Sequence, residues 1–536
     1  MLSHAVLLPL VCSASLIAQE LVLTNAQVYT GTAQKWDGPL VVSDGRIAAR
    51  GTAAPAGCET IDLHGAFVMP GLQDAHGHLL SLGDSLEQVD LSGTKSYEEV
   101  ILRVAAVAKK KARGEWVIGR GWDQNLWRSK DLPHHFDLSM EIPDHPVWLL
   151  RVDGHAALAN LAALRVAGIS ADLANPSGGE ILKDEDGELT GVLIDSAMSL
   201  VSLPESTTAV VQRRLLLAQE ECFRYGITCV HDAGITRSEF EELQFLHKAG
   251  KWRLRAYELY SADQLEAIGK GPWRSKDGLL QVRAVKAYAD GALGSRGAAL
   301  LEPYADRPSY RGLFLSTEPG LRQLAQLCVD SGMQICVHAI GDAANRMALN
   351  AFATIKVTGD RSALRCRIEH AQVVAKPDFA RFAELGVLPS MQPTHLTSDM
   401  PWAIVRLGPE RITGAYAFKS FLLQGLPVAF GSDFPVESPD PRRGIYAAVT
   451  TRPFEGGEPL RPDQQLTREQ ALRGFTLDAA YAMFAEPELG TIAAGKLADF
   501  SVFDRDLLNC PERELLSANV VLTVIGGRVV FRASKR

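Results

Sequence analysis

Two histidines one residue apart stand just beyond an apolar run: FVMPGLQDAHGHL carries His76 and His78. In an extended strand, residues i and i+2 face the same side, so both imidazoles can reach one ion. Three further ligand-type residues close later apolar runs: His338 in ICVHAIGD, His370 in RCRIEHAQ and Asp433 in VAFGSDFP. Nitrogen and oxygen donors of this kind suit Zn2+ and similar divalent ions. Lys286 sits in VRAVKAYADG, an alternating strand that runs into a glycine-containing loop. A lysine inside an apolar strand is costly unless it is satisfied. Its ammonium can pair with an acid such as Asp290, or its amine can have added CO2. As a carbamate it would bridge two cations. Two divalent ions, set against the charges of Asp433, a carbamate and a hydroxide, leave a net charge of roughly +1, whereas an ammonium would repel the second ion.

Other polar residues have the placement of substrate contacts. His155 in VDGHAALAN, Trp122 in GWDQNLW and His395 in QPTHLTSDM are expected to face the substrate, while His231 and Asp232 in CVHDAG are expected to steady the ligands.

These residues do chemistry together only if the strand ends meet. Between residues 71 and 485, short apolar strands alternate with amphipathic helices. Repeated β-then-α units over about 400 residues predict an α/β fold, a (β/α)8 TIM barrel, whose strand C-terminal ends converge on one face. Residues 95–215 are longer than one such unit requires and read as an α/β insertion. Residues 19–70 and 486–536 are strand-rich, with turn signals such as Ser43-Asp44-Gly45, and predict one small β-domain built from both termini.

The balance of 55 Lys+Arg against 63 Asp+Glu in 536 residues, a net charge of −8, argues against nucleic acid as the main partner. With 46% hydrophobic and 22% charged residues, the chain is not dominated by disorder. No segment offers the roughly 20 apolar residues of a membrane span. The run from Ala5 to Ala18 resembles a signal peptide, so the expected mature start is near residue 19. The expected location is periplasmic or extracellular, or cytoplasmic if residues 1–18 are retained. The eight cysteines form no CxxC pair and are expected as buried free thiols. A small-molecule substrate is the expected partner, and homo-oligomerisation is left open.

With the segments VMPGLQDAHGHL, GRGWDQNLW, DGHAALAN, VKAYADGALGSR, CVHAIGDAAN, RIEHAQ, GSDFPV and LGTIAAGKLADFSVFD in this order, the chain resembles the amidohydrolase superfamily. Within it, the similarity is to amidohydrolase family 3, the N-substituted formamide deformylase-like metal-dependent hydrolases. The resemblance implies that the terminal β-domain is a composite β-sandwich carried by the barrel. It implies that His76 and His78 bind the more buried of two divalent ions, Zn2+ by expectation. Lys286 would bridge as a CO2-derived carbamate, and His338 and His370 would bind the second ion. Asp433 would bind metal and move protons. The implied reaction is hydrolysis of a non-peptide or N-acyl C–N amide bond. The alternatives on the same ligands are ester, carbamate or lactone hydrolysis or a deamination, and a catalytically silent binding protein ranks last because no ligand is missing. Relatives often carry a larger residue where this chain has Gly77.

Overall fold

Eight short parallel strands carry the ligand-type residues. They are β1 (Leu72–Gly77), β2 (Ile227–Ile235), β3 (Arg255–Ser261), β4 (Leu280–Tyr288), β5 (Gln334–Ala339), β6 (Arg367–His370), β7 (Leu388–Met391) and β8 (Ala429–Phe430). Each pairs with its chain neighbour in one sheet. The seam between β8 and β1 is drawn together just past the strand ends. There Gly77 and Phe434 form a parallel bridge, and the Asp433 N–H donates to the His76 carbonyl at 2.7 Å. The strands are buried along most of their length, as parallel strands covered by helices must be. The result is the predicted TIM barrel.

The computed structural model describes residues 20–151, 156–176, 179–204 and 206–534. The expected leader at 1–18 and His155 lie outside the described residues. Two compact units are present, one made of the chain up to Leu79 together with Gln219 onward, the other of Leu80–Ala218.

In the first unit, helices are set by local chemistry. The helix after β2 (Arg237–Lys248) opens on a capping box between Thr236 and Glu239. The helix before β5 (Glu318–Asp330) is capped by Thr317 and has proline in its first turn. Register aligns the strand ends: Tyr288 pairs with His338, His338 with Glu369, and Ala339 with His370. Four-stranded and five-stranded sheets drawn from both ends of the chain enclose a core of Leu23, Leu40, Val42, Val68, Phe500 and Val502, among others. These are the sheets of the composite sandwich.

The second unit has its own six-stranded sheet and its own core. It starts earlier than residue 95, because Val89–Asp90 forms the edge strand of that sheet against Val117–Trp122. The expectation that Trp122 faces substrate is corrected here. Trp122 is 1% exposed, donates its indole N–H to the Leu149 carbonyl at 2.8 Å and stacks on Trp127. Its large apolar ring is used for core packing.

Among the described residues, no helix is long and apolar enough to cross a membrane. The seven cysteines among them form no bridge.

Candidate metal centre

His76 and His78 point from the end of β1 toward one centre, each held at its far nitrogen. The His76 Nδ1 lies 2.6 Å from Glu369 Oε2, and the His78 Nδ1 lies 2.8 Å from the Ala233 carbonyl. His370 Nδ1 is likewise 2.7 Å from Gln392 Oε1. All three partners are acceptors, so Nδ1 carries the proton; in His76 and His370 this turns the Nε2 lone pair to the centre, while His78 Nε2 lies 3.1 Å from Asp433 Oδ1. Asp433 joins two groups of donor atoms, each group lying within 4.8 Å: His76 with His78, and His370 with His395.

Backbone conformation brings two of these side chains in. Strand alternation alone would turn Glu369 and His370 to opposite faces. His370 instead adopts φ +71°, and Asp433 φ +61°. Such left-handed geometry costs a non-glycine residue on the order of 1 kcal/mol or more and tends to collect at functional sites. Here it allows Glu369 to reach His76 while the His370 ring lies 4.9 Å from His76 and 4.5 Å from His338. Close approach of the seam also explains Gly77. A Cβ there would stand 2.5 Å from the Phe434 ring, so no larger residue fits between the two histidines without displacing it.

Lys286 is fully buried, and its Nζ lies 3.1 Å from His76 Nε2. Among the described residues it makes no ion pair. Asp290, the acid expected as its alternative partner, is engaged elsewhere. It accepts from the backbone N–H groups of Ala299, Ile340 and Gly341 at 2.8–2.9 Å, and so ties the loop after β4 to the end of β5. His338 Nε2 is 3.6 Å from Asp290 Oδ1 and has no hydrogen-bond partner. His395 lies on the helix Pro393–Asp399, its Nε2 3.7 Å from Asp433 Oδ2 and also without a partner.

Buried nitrogen atoms without partners are expensive, and a divalent cation would satisfy them. The electrostatics agree. Burial, then the Lys286 charge, pushes His76 down to about 4 and His338 down to about 3, so both are neutral at pH 7, as ligation requires. Burial also lowers Lys286. Burial alone would raise Asp433, but the His78 hydrogen bond and the surrounding imidazoles outweigh it and hold the carboxyl well below its usual range. The donor set fits a divalent metal.

Beneath the centre runs a charged network that pattern reading passed over. Arg367 Nη2 donates to Glu369 Oε2, the Ala75 carbonyl and Ser390 Oγ at 2.8–3.0 Å. His231 lies against its other nitrogen at 3.0 Å, and so steadies Arg367 and not a ligand directly. Asp74 accepts from the backbone N–H groups of His76 and Ser432 and from the Ser432 hydroxyl, which fastens the Asp433 loop to β1. The signal for Glu369 and Arg367 was present in RIEH, two opposite charges at i and i+2 flanking Ile368 in a fully buried strand. Asp232 accepts from the Leu79 N–H.

The centre opens into a cavity of about 370 Å³ whose outer wall includes Tyr288, Leu293, Ile340, Trp402 and Val436. A larger groove, about 1130 Å³, is lined by residues such as Glu59, Arg442 and Arg532 and contains none of the ligand set.

Comparison with known proteins gives four further findings. Residues 59–531 match the profile of a family described as the amidohydrolase family. Amidohydrolase YtcJ of Bacillus subtilis (strain 168) is 33% identical over 493 residues, covering 89% of this chain and 91% of that protein. The N-substituted formamide deformylase of Arthrobacter pascens is 28% identical over 537 residues, covering 95% and 98%. Among solved structures, an uncharacterized metal-dependent hydrolase from Pyrococcus furiosus matches with a TM-score of 0.76 at 31% identity, over 91% of this chain and all of that one.

Proposed function

The chain belongs to the amidohydrolase family, and on that premise we propose that it is a metal-dependent hydrolase acting on a non-peptide or N-acyl C–N amide bond. The observation that carries this is the convergence of His76, His78, His370 and Asp433 at the barrel's strand ends, with donor atoms grouped within 4.8 Å of one another around the Asp433 carboxylate. The C–N bond is supported by the formamide deformylase of Arthrobacter pascens, which is similar along nearly its whole length.

His76 and His78 would hold one divalent ion, His338 and His370 a second, with Zn2+ the expected metal. Bound there, such ions polarise a carbonyl oxygen and bring the pKa of water down to about 7. Asp433 takes a proton from the attacking water at a carboxylate oxygen and returns it to the leaving nitrogen, and His78 Nε2, 3.1 Å from its Oδ1, orients the carboxylate for that role. His395 offers its unpartnered Nε2 to the substrate oxygen, where a donor stabilises developing charge. Lys286 would supply the bridging anion. In its unprotonated form the buried amine would add to CO2, forming one C–N bond and releasing one proton. Its burial, and the absence of an ion pair to it among the described residues, support this reading. Residues 1–18 would act as an export leader, which the N-terminal mass of the protein from its host would check.

The test is elemental analysis with a substrate screen. The purified protein should hold close to two divalent ions per chain and turn over N-formyl or N-acyl amides. Turnover of esters, lactones or ring amidines alone would replace the amide reading. One ion at full activity would leave Lys286 a structural part.

A further inference from the structure

We propose that Asp399, with Glu437, forms a cation-binding subsite in the substrate cavity, so that the preferred substrate carries a protonated amine a few bonds from the scissile amide. The location of the amide rests on the proposed function; the subsite itself does not.

The cavity that opens from the metal centre is lined by both carboxylates. Among the described residues lining it, the cation apart from the histidines is Lys286, which lies at the floor among the ligands. Among its described lining residues the outer cavity therefore has two carboxylates and no lysine or arginine, and Arg406, 5.9 Å from the Trp402 ring, is paired with Asp306. Asp399 is held in place. Its Oδ2 accepts from the Tyr416 hydroxyl at 2.7 Å and from Gln372 Nε2 at 2.8 Å. Both bonds fall on one oxygen, and among the described residues Oδ1 has no further hydrogen bond. Tyr416 is itself buried and set in left-handed backbone at φ +52°. That is a costly conformation, and it aims the phenol at Asp399.

One aromatic side chain borders the subsite. Trp402 lines the same cavity and donates its backbone N–H to the Asp399 carbonyl at 3.0 Å. Gly294 makes room for the indole, since a Cβ there would stand 3.2 Å from the Trp402 ring. Aromatic faces beside carboxylates suit an ammonium group. The same field disfavours a carboxylate on the substrate, because it would face two like charges.

The spacing sets the substrate's length. Asp399 lies one turn beyond His395 on the helix Pro393–Asp399. Residues four apart share a helix face and are separated by about 6 Å along the axis. An extended chain of roughly four or five bonds spans that distance.

The test uses the metal-loaded full-length enzyme and three formamides of matched length: N-formylputrescine, N-pentylformamide and N-formyl-γ-aminobutyrate. The cationic substrate should lead the neutral one in kcat/KM by about tenfold, the worth of one charge-assisted hydrogen bond, and the anionic one should be poorest. Asp399→Asn should bring the cation-to-neutral ratio close to one. Glu437→Gln should lower it in the same direction and guards against a folding defect in the first variant. Calorimetry with pentylammonium and pentanol reads the subsite without turnover: the ammonium should bind more tightly to the wild type, and Asp399→Asn should lose that preference. A ratio near one in the wild type, a ratio unchanged in both variants, or no ammonium preference in binding would overturn the subsite. Should no amide be hydrolysed while pentylammonium still binds through Asp399, the amide reading falls and the subsite stands.

Discussion

The sandwich and the floor of the barrel are equally buried but built on opposite principles. The sandwich core is apolar throughout, with Leu21, Leu23, Leu40, Val68, Phe500 and Val524 almost without exposure. The barrel floor buries Asp74, Lys286, Arg367 and Glu369 just as completely. Apolar burial stabilises by roughly 25 cal/mol per Å² and tolerates rearrangement among similar side chains. Buried charges cost several kcal/mol each unless geometry and hydrogen bonds repay them, and replacing one partner leaves the other stranded. The sandwich is therefore a stability element, and the barrel floor holds its polar residues for orientation and charge.

That contrast can be broken at the site first. Asp433→Asn should leave the fold and melting temperature close to wild type while turnover falls about 10²–10⁴-fold, the usual worth of proton transfer. Steady-state kinetics on a metal-loaded variant measure this, and near-normal kcat would remove Asp433 from the proton path. Lys286→Ala should lose metal and activity together, with partial return on adding acetate or propionate, because a small acid can occupy the vacated space and supply the missing charge. Unchanged metal content and no rescue would mean that Lys286 is an unmodified structural lysine.

Deeper in the floor the effect should shrink. Glu369→Gln keeps the shape but weakens the grip on His76 Nδ1 and leaves Arg367 without its anion. Metal affinity should fall about 10–100-fold, as it does when the partner of a ligating histidine is altered. Titration with a competing chelator reads it, and wild-type affinity would show that the network serves packing alone. The smallest effect on catalysis belongs to the sandwich. Leu23→Ala should cost about 2–5 kcal/mol of stability with kcat per folded molecule unchanged. Parallel denaturation and kinetics separate the two, and a lower kcat at full folding would mean that the sandwich tunes the site.

How much of this was legible beforehand follows a physical division. The ligand residues were readable because each needs only a local pattern. His76 and His78 share a strand face by covalent geometry, and His338, His370 and Asp433 each close an apolar run. The order of those runs was enough for the barrel, since parallel strands joined through helices have few ways to close. The resemblance to a known family supplied their roles.

What the local pattern left open depends on distances between strands. Lys286 had two readings, and only the register and the loop after β4 show Asp290 turned to backbone N–H groups instead of to Lys286. Arg367 and Glu369 alternate like residues of a half-exposed strand, and closure of the barrel is what makes their face an interior. Strand periodicity puts Glu369 and His370 on opposite sides, and the left-handed backbone at His370, held by the tertiary structure, brings both inward. Trp122 carries no mark that separates a pocket wall from a core ring, and the packing of the Leu80–Ala218 unit decided for the core. Residue type and spacing are properties of the chain and survive in the sequence. Which side chains meet across the barrel is set by register, closure and backbone strain, which exist only once the strands have assembled.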